Sequence, residues 1–157
     1  MRQVIDDFIF SNEDAILLVS DLGKFPKTCT TSRYINVGAS ETLLVNAALG
    51  LALAGKHVYM YSAANFVLYR AFEQLKINIL GNSSCNIKQL NITLLNGGSG
   101  FCYAGCGIGH YLLDDMHIAA TCLKNITCYF PYDKASTAKA LVKSMHGINY
   151  IRLCLDS

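Results

Sequence analysis

Apolar positions along this chain fall into short unbroken runs, and longer stretches of helical period separate them. Ala15 to Ser20, His57 to Ser62, Leu90 to Leu95, Ile126 to Phe130 and Ile148 to Leu153 are too short for helices and end in polar or turn residues. Such runs are the mark of strands buried on both faces. Tyr34 to Val37 adds a shorter strand. Arg2 to Phe10 reads as a helix, as does Asn65 to Ile77, where Phe66, Tyr69, Phe72 and Leu75 lie on related faces. A further helix is expected to open at His110 and run to about Leu123, and Pro131-Tyr132-Asp133 caps one that runs to about Met145. Gly23 to Ser32 is irregular, Ile79 to Lys88 reads as a loop, and Phe101 to Gly109 as a long turn behind the glycine-rich stretch from Gly97 to Gly100. Strand and helix alternate throughout, which predicts an α/β fold: a doubly wound, mostly parallel sheet flanked by helices, as one domain over residues 1–157. Ligands on such sheets sit beyond the carboxyl ends of the strands. Asp21, Ser62, the glycine loop after Leu95 and the turn after Phe130 belong to that edge.

The stretch from Arg33 to Gly55 stands out. A short strand leads through a glycine turn into a helix with Asn46 as the polar break in a run of Leu, Val and Ala, and Gly55 stands where a helix stop favours glycine. A helix apolar nearly all round is expected to be buried. One carboxylate, Glu41, sits at its mouth. On spacing alone the ordinary role for Glu41 is a helix-start residue, since acidic side chains favour the first turn. A carboxylate entering an apolar helix is nevertheless costly unless something uses it.

Composition narrows the function. Of 157 residues 52% are apolar and 15% charged, which is few charges for a small free-standing protein and implies a surface covered by a partner. A net charge of +2 with no basic run excludes a nucleic-acid binder. No apolar run is long enough to span a bilayer, and the start of the chain, with Arg2, Asp6 and Asp7, does not read as a signal peptide. The seven cysteines are odd in number, lack CxxC pairs and fall mostly in expected apolar strands or helices; they point to a reducing cytoplasm without a disulfide framework. Cys102 and Cys106 could offer two ligands on one loop, but no further ligands accompany them, and no metal site is assigned.

The order of motifs carries a resemblance. Asp21-Leu22-Gly23, the block Arg33-Tyr34-Ile35-Asn36-Val37-Gly38-Ala39-Ser40-Glu41, Phe66 and Tyr69 ahead of Ala71-Phe72-Glu73-Gln74, then Gly107, His110 and Pro131-Tyr132-Asp133 occur one after another. From about Asp14 to Arg152 this resembles the pyrimidine-binding domain of the transketolase family of thiamine diphosphate enzymes. The resemblance implies that Glu41 hydrogen-bonds the cofactor's aminopyrimidine and so lets the cofactor act as its own base; its apolar setting is expected to favour the protonated carboxyl. It further implies that Phe66 and Tyr69 hold the pyrimidine ring, that Asp21 lies near the thiazolium, and that His110 assists proton transfer and binds substrate oxygens. From spacing alone, Phe66 and Tyr69 are plain core residues, Asp21 a loop cap and His110 a helix-start residue. Ala63 stands where the family has a bulkier residue. His57, His117 and His146 are read as structural or surface residues.

Several family positions are altered. Cys106 replaces an Asp that recognises a sugar hydroxyl, Gly98 a His that meets substrate phosphate, Gly109 a Thr, Phe25 a Ser, and Leu155 a phosphate-binding Arg that Arg152 does not replace. Cys106 and Gly98 are therefore substrate-side candidates, and ordinary sugar-phosphate specificity is in doubt. The resemblance also implies Mg²⁺ and a Gly-Asp-Gly motif for the diphosphate, which this chain lacks. The expectation is a split enzyme: a cytoplasmic small subunit, inactive alone, whose site forms with a separate diphosphate-binding subunit in a dimer of heterodimers. It would transfer a two-carbon ketol unit between sugar-type donors and acceptors. Two other readings stay open. One is another thiamine diphosphate reaction, such as 2-oxo acid decarboxylation or dehydrogenation or ketose synthesis; the other is a non-catalytic binding or regulatory domain.

Overall fold

The computed structural model describes residues 1–21, 24–84, 89–98, 100–110 and 114–154. Six strands, β1 (Ala15–Val19), β2 (Tyr34–Asn36), β3 (His57–Ala63), β4 (Asn91–Gly97), β5 (Thr127–Tyr129) and β6 (Ile148–Leu153), form one sheet in the order β2-β1-β3-β4-β6-β5. Every pairing is parallel. The α-helices are α1 (Arg2–Ser11), α2 (Glu41–Leu53), α3 (Ala64–Arg70), α4 (Leu80–Ser84), α5 (Asp115–His117) and α6 (Lys134–Lys143). This is the expected doubly wound α/β fold.

Side chains alternate along each strand, so the apolar runs feed two cores. Leu18, Met60, Leu94 and Tyr150 face the side covered by α2 and the helical turns after α3. Leu17, Val19, Tyr59, Leu95 and Ile151 face α1 and α6. Burial on both faces is why these strands read as continuous apolar runs. Polar groups fix the helix ends. Asp133 accepts from Ser136 N at 2.7 Å in a capping box that starts α6. Arg33 donates to the carbonyls of Ile9, Phe10 and Ala15 and so closes the end of α1. At the end of α2, Lys56 N donates to Leu51 O and Gly55 N to Ala52 O, with Gly55 at φ +89°, a conformation that favours glycine.

Four expectations are corrected. First, the stretch expected to be a loop from Ile79 stays helical: a π-helical turn over Gln74–Ile79 leads into α4, because Leu75 and Ile79 must both reach the core. Residues 85–88 of that expected loop lie outside the described residues. Second, His110 ends a 3₁₀ turn, Ile108–His110; residues 111–113 of the expected helix lie outside the described residues, and the next described helix is Asp115–His117. Third, α2 buries one face alone: Leu44, Val45, Ala48 and Ala52 are buried, whereas Leu43 is 52% exposed and Asn46 and Gly50 are open. Fourth, the cysteines are not held in the core: Cys29, Cys102, Cys106 and Cys154 are exposed thiols in turns or at a strand end, Cys122 and Cys128 are half-buried, and Cys85 lies outside the described residues.

Tyr59 is an exception to good polar pairing. Its ring is fully buried and its hydroxyl has no hydrogen-bond partner among the described residues. Burial pushes that hydroxyl up to about 12 from its ordinary 10.0. A raised folded-state value contributes stability that is complete below the unfolded value and is lost as pH rises toward the folded one. Tyr59→Phe removes a buried unsatisfied group at constant shape, so it should stabilise the fold by about 1 kcal/mol at neutral pH. Between roughly pH 10 and 12 it should also retain more stability than the parent. Urea midpoints across that range check both outcomes.

Candidate active site

The winding of the sheet reverses at β1, which pairs with β2 on one side and β3 on the other. A crevice opens beyond the carboxyl ends at such a switch point. Here it is a cavity of about 480 Å³ lined by Ser20 and Asp21 after β1, Ala39 and Glu41 after β2, Ala63, Phe66 and Arg70 after β3, and Tyr103, Cys106 and His110 after β4. Four strand ends therefore supply one cavity.

Glu41 sits in the first turn of α2, where the helix dipole favours its charge, and is 5% exposed. Its surroundings are less apolar than the sequence suggests. Ser20 Oγ donates to Glu41 Oε1 at 3.3 Å, and Arg70 reaches Oε1 at 3.1 Å and Oε2 at 3.2 Å. Phe66 lies between Arg70, whose guanidinium is 4.2 Å from the ring centroid, and His110, whose ring meets it edge to face at 4.9 Å. The His110 Nδ1 atom is shielded and makes no hydrogen bond among the described residues. Asn65, itself buried, donates to the carbonyl of Gly109 and so ties α3 to the loop bearing His110. Asp21 holds an unusual φ of +53°, and its N–H donates to Asn36 Oδ1 at 3.2 Å, which joins the ends of β1 and β2.

Glu41, Phe66, His110, Asp21 and Cys106 thus share one cavity. Tyr69 does not join them. It lines a neighbouring cavity of about 410 Å³ with Phe66, Arg70, Ile108 and Asp114, and donates to Asp114 Oδ2 at 2.8 Å. Gly98 is also elsewhere, lining a third cavity with Arg2, Tyr61 and Gly97. It holds φ +82°, and a Cβ there would come within 2.0 Å of the Tyr103 ring. Phe25 is a core residue, edge-on to Tyr61 at 5.0 Å, and Leu155 lies outside the described residues. Sequence reasoning missed Ser20, Arg70 and Tyr103. Burial raises the Tyr103 hydroxyl above its ordinary range. The glycine ahead of it was the available signal, since glycine permits a close aromatic approach.

The loop bearing His110 is anchored from behind. Asp115, fully buried, accepts from Tyr150 Oη at 2.7 Å and pairs with Arg152 Nε at 2.8 Å, while Asn96 Nδ2 donates to the same Tyr150 oxygen at 2.9 Å. Burial, then the neighbouring Asp115 carboxylate, holds the Tyr150 hydroxyl well above the tyrosine range. Among the described residues, no group of three or more His, Cys, Asp and Glu could hold a metal ion. No helix among them is long and apolar enough to cross a membrane.

No family model matches the sequence. Curated relatives and solved structures do. An apulose-4-phosphate transketolase subunit of Actinobacillus succinogenes is 36% identical over 86 residues, 55% of this chain and 26% of that protein. Its counterpart in Phocaeicola vulgatus is 31% identical over 122 residues, 78% of this chain and 36% of that protein. A 6-deoxy-6-sulfo-D-fructose transketolase subunit from a Clostridium species is 27% identical over 94% of this chain and 44% of its own length. A structure described as a split gene transketolase, inactive beta4 tetramer, superposes with a TM-score of 0.79 at 26% identity, over 98% of this chain and 50% of that one. The chain therefore spans half or less of the length of these relatives.

The switch-point cavity and the all-parallel sheet define a doubly wound α/β domain of the kind the split gene transketolase structure contains. The chain is transketolase-like, similar over most of its length to named transketolase subunits.

Removing the buried anchor should release the loop that carries His110. Asp115→Ala leaves Arg152 and Tyr150 without their shared acceptor and should cost roughly 3 kcal/mol, read as a lowered urea midpoint. Amide hydrogen exchange should rise first in residues 100–110.

Proposed function

We propose that this chain is the small, pyrimidine-binding subunit of a split transketolase-like enzyme. It would move a two-carbon ketol unit between sugar-type substrates and be inactive without a separate diphosphate-binding subunit. The observation that carries this reading is the placement of Glu41 and Phe66 on one cavity at the sheet's switch point. The naming of relatives as transketolase subunits supports it.

The residues present fit the pyrimidine half of thiamine diphosphate. The cavity offers a carboxyl group, an aromatic face and the small side chains of Ala39 and Ala63, with room for a six-membered ring. They do not supply the Mg²⁺ ligands of the other half, because among the described residues no cluster of His, Cys, Asp and Glu could hold a metal ion. Those ligands are assigned to the partner subunit. When bound, thiamine diphosphate supplies a thiazolium carbanion. Glu41 would hold a proton between an Oε atom and a ring nitrogen, with Ser20 orienting the carboxyl group. Phe66 would give the ring its apolar bed, and Tyr69, tied to Asp114, would border the neighbouring cavity. His110, fixed against Phe66 and by the Asn65 link to Gly109, would present an imidazole nitrogen to substrate oxygens. Asp21 would stand at the cavity rim. Cys106 and the filled space at Gly98 favour a substrate other than the ordinary sugar phosphates.

The open side of α2 supports a partner. Leu43 is half exposed, and Ile108, on the loop that bears His110, is 83% exposed. Exposed apolar side chains of this size, rimming a site, mark an interaction surface. A dimer of heterodimers is the proposed assembly. Self-association of the free chain is the competing state, since one related structure is an inactive tetramer of one subunit type. A cytoplasmic setting is part of this reading, and the exposed thiols of Cys29, Cys102, Cys106 and Cys154 support it.

Calorimetric titration of thiamine diphosphate and Mg²⁺ should give binding to the mixed subunits and none to this chain alone. Glu41→Gln should abolish complemented ketol transfer, a loss of at least about a hundredfold for a proton-handling group; survival of activity would sink the role given to Glu41. Leu43→Asp should leave the melting temperature of the chain within about 2 °C, as an exposed substitution does. It should also weaken subunit assembly at least roughly tenfold by sedimentation.

A further inference from the structure

One side chain holds both groups that the proposed function gives to the pyrimidine ring. The Arg70 guanidinium pairs with both oxygens of Glu41 at 3.1 and 3.2 Å and lies 4.2 Å over the face of Phe66. A ring stacked on that face and bonded to that carboxyl group would need the space the guanidinium fills. Arg70 is also placed to leave. It is the last residue of α3, its side chain is half exposed, and it lines both the cavity of Glu41 and the neighbouring cavity of Tyr69 and Asp114. That second cavity holds another carboxylate, Asp114, which accepts from Tyr69 Oη and has a second oxygen to offer, so each cavity that Arg70 lines presents the cation with a carboxylate.

We infer that Arg70 is a latch: it closes the pyrimidine site of the unassembled chain by occupying Glu41 and Phe66 together, and it swings toward Asp114 when a ring enters. The inference rests on the proposed function, which places the ring there. Its physical basis is a competition of modest terms. A charge-assisted pair with one partner half in solvent, added to a cation–π contact, is strong enough to hold the site shut and weak enough to yield to a ligand. The latch would keep a buried carboxylate from lying unpaired before assembly. It would also make cofactor binding and partner docking favour the same open arrangement.

The test uses the full chain and 4-amino-2-methylpyrimidine as the probe, with binding read from Phe66 ring resonances by NMR. Arg70→Ala should bind the probe roughly tenfold more tightly than the parent, which corresponds to about 1.4 kcal/mol. Arg70→Lys keeps the charge, loses the planar contact with Phe66 and should fall between them; it carries the test if the alanine variant does not fold. Asp114→Asn removes the alternative acceptor and should weaken binding to the parent. Equal or weaker binding to both Arg70 variants overturns the latch, as does no binding to any form, because an unlatched cavity should accept the ring. If Arg70→Ala tightens binding and adding Glu41→Gln changes nothing, the latch stands and the role of Glu41 fails. Titration of the mixed subunits judges the proposed function separately.

Discussion

A parallel sheet cannot reverse its winding without leaving a gap, and the candidate site of this chain lies in that gap. β1 pairs with β2 on one edge and β3 on the other, so the connections leaving their carboxyl ends turn to opposite faces. The segments leaving the first four strands therefore meet at one place. The carboxylate, the aromatic ring, the guanidinium and the imidazole come from segments far apart in sequence. No local motif could gather them; the handedness of the crossovers does.

The two faces of the sheet divide the labour. The α1 and α6 face is closed by buried aliphatic and aromatic side chains and by Arg33, which ties the end of α1 to the start of β2. The other face is covered by α2 and the helical turns after α3, and there the packing is one layer deep, with the outer side of α2 in solvent. Both faces bury continuous apolar clusters, and the candidate cavity lies at the edge of the face that α2 covers.

Much of this was legible in the sequence. Strands buried on both faces write themselves as unbroken apolar runs, and β6 matches its expected bounds residue for residue. Glu41 drew attention as a carboxylate at the mouth of so apolar a helix, and it does line the switch-point cavity, although a helix start also explains it locally. The misses have physical causes. The π turn at Gln74–Ile79 breaks the 3.6-residue period, and Asn78, Gly81 and Asn82 then resemble loop. The burial expected for all of α2 ignored that a single chain can leave a face for another. Arg70 at the end of an amphipathic helix reads as a solvated charge; its reach back to Glu41 exists only once β1 and β3 are neighbours. Ser20 and Tyr103 likewise acquire their roles through tertiary contact alone.

Gly98 and Tyr103 form a coupled pair in a sense that concerns how such a chain can change over generations. The ring of one fills the space a side chain on the other would need, and the backbone at Gly98 is of a kind that L-residues seldom adopt. A histidine introduced at 98 collides with Tyr103, while losing Tyr103 first opens a hole in the wall of the cavity. Each position thus constrains the other: a side chain at 98 requires a smaller residue at 103, and the two can change only together.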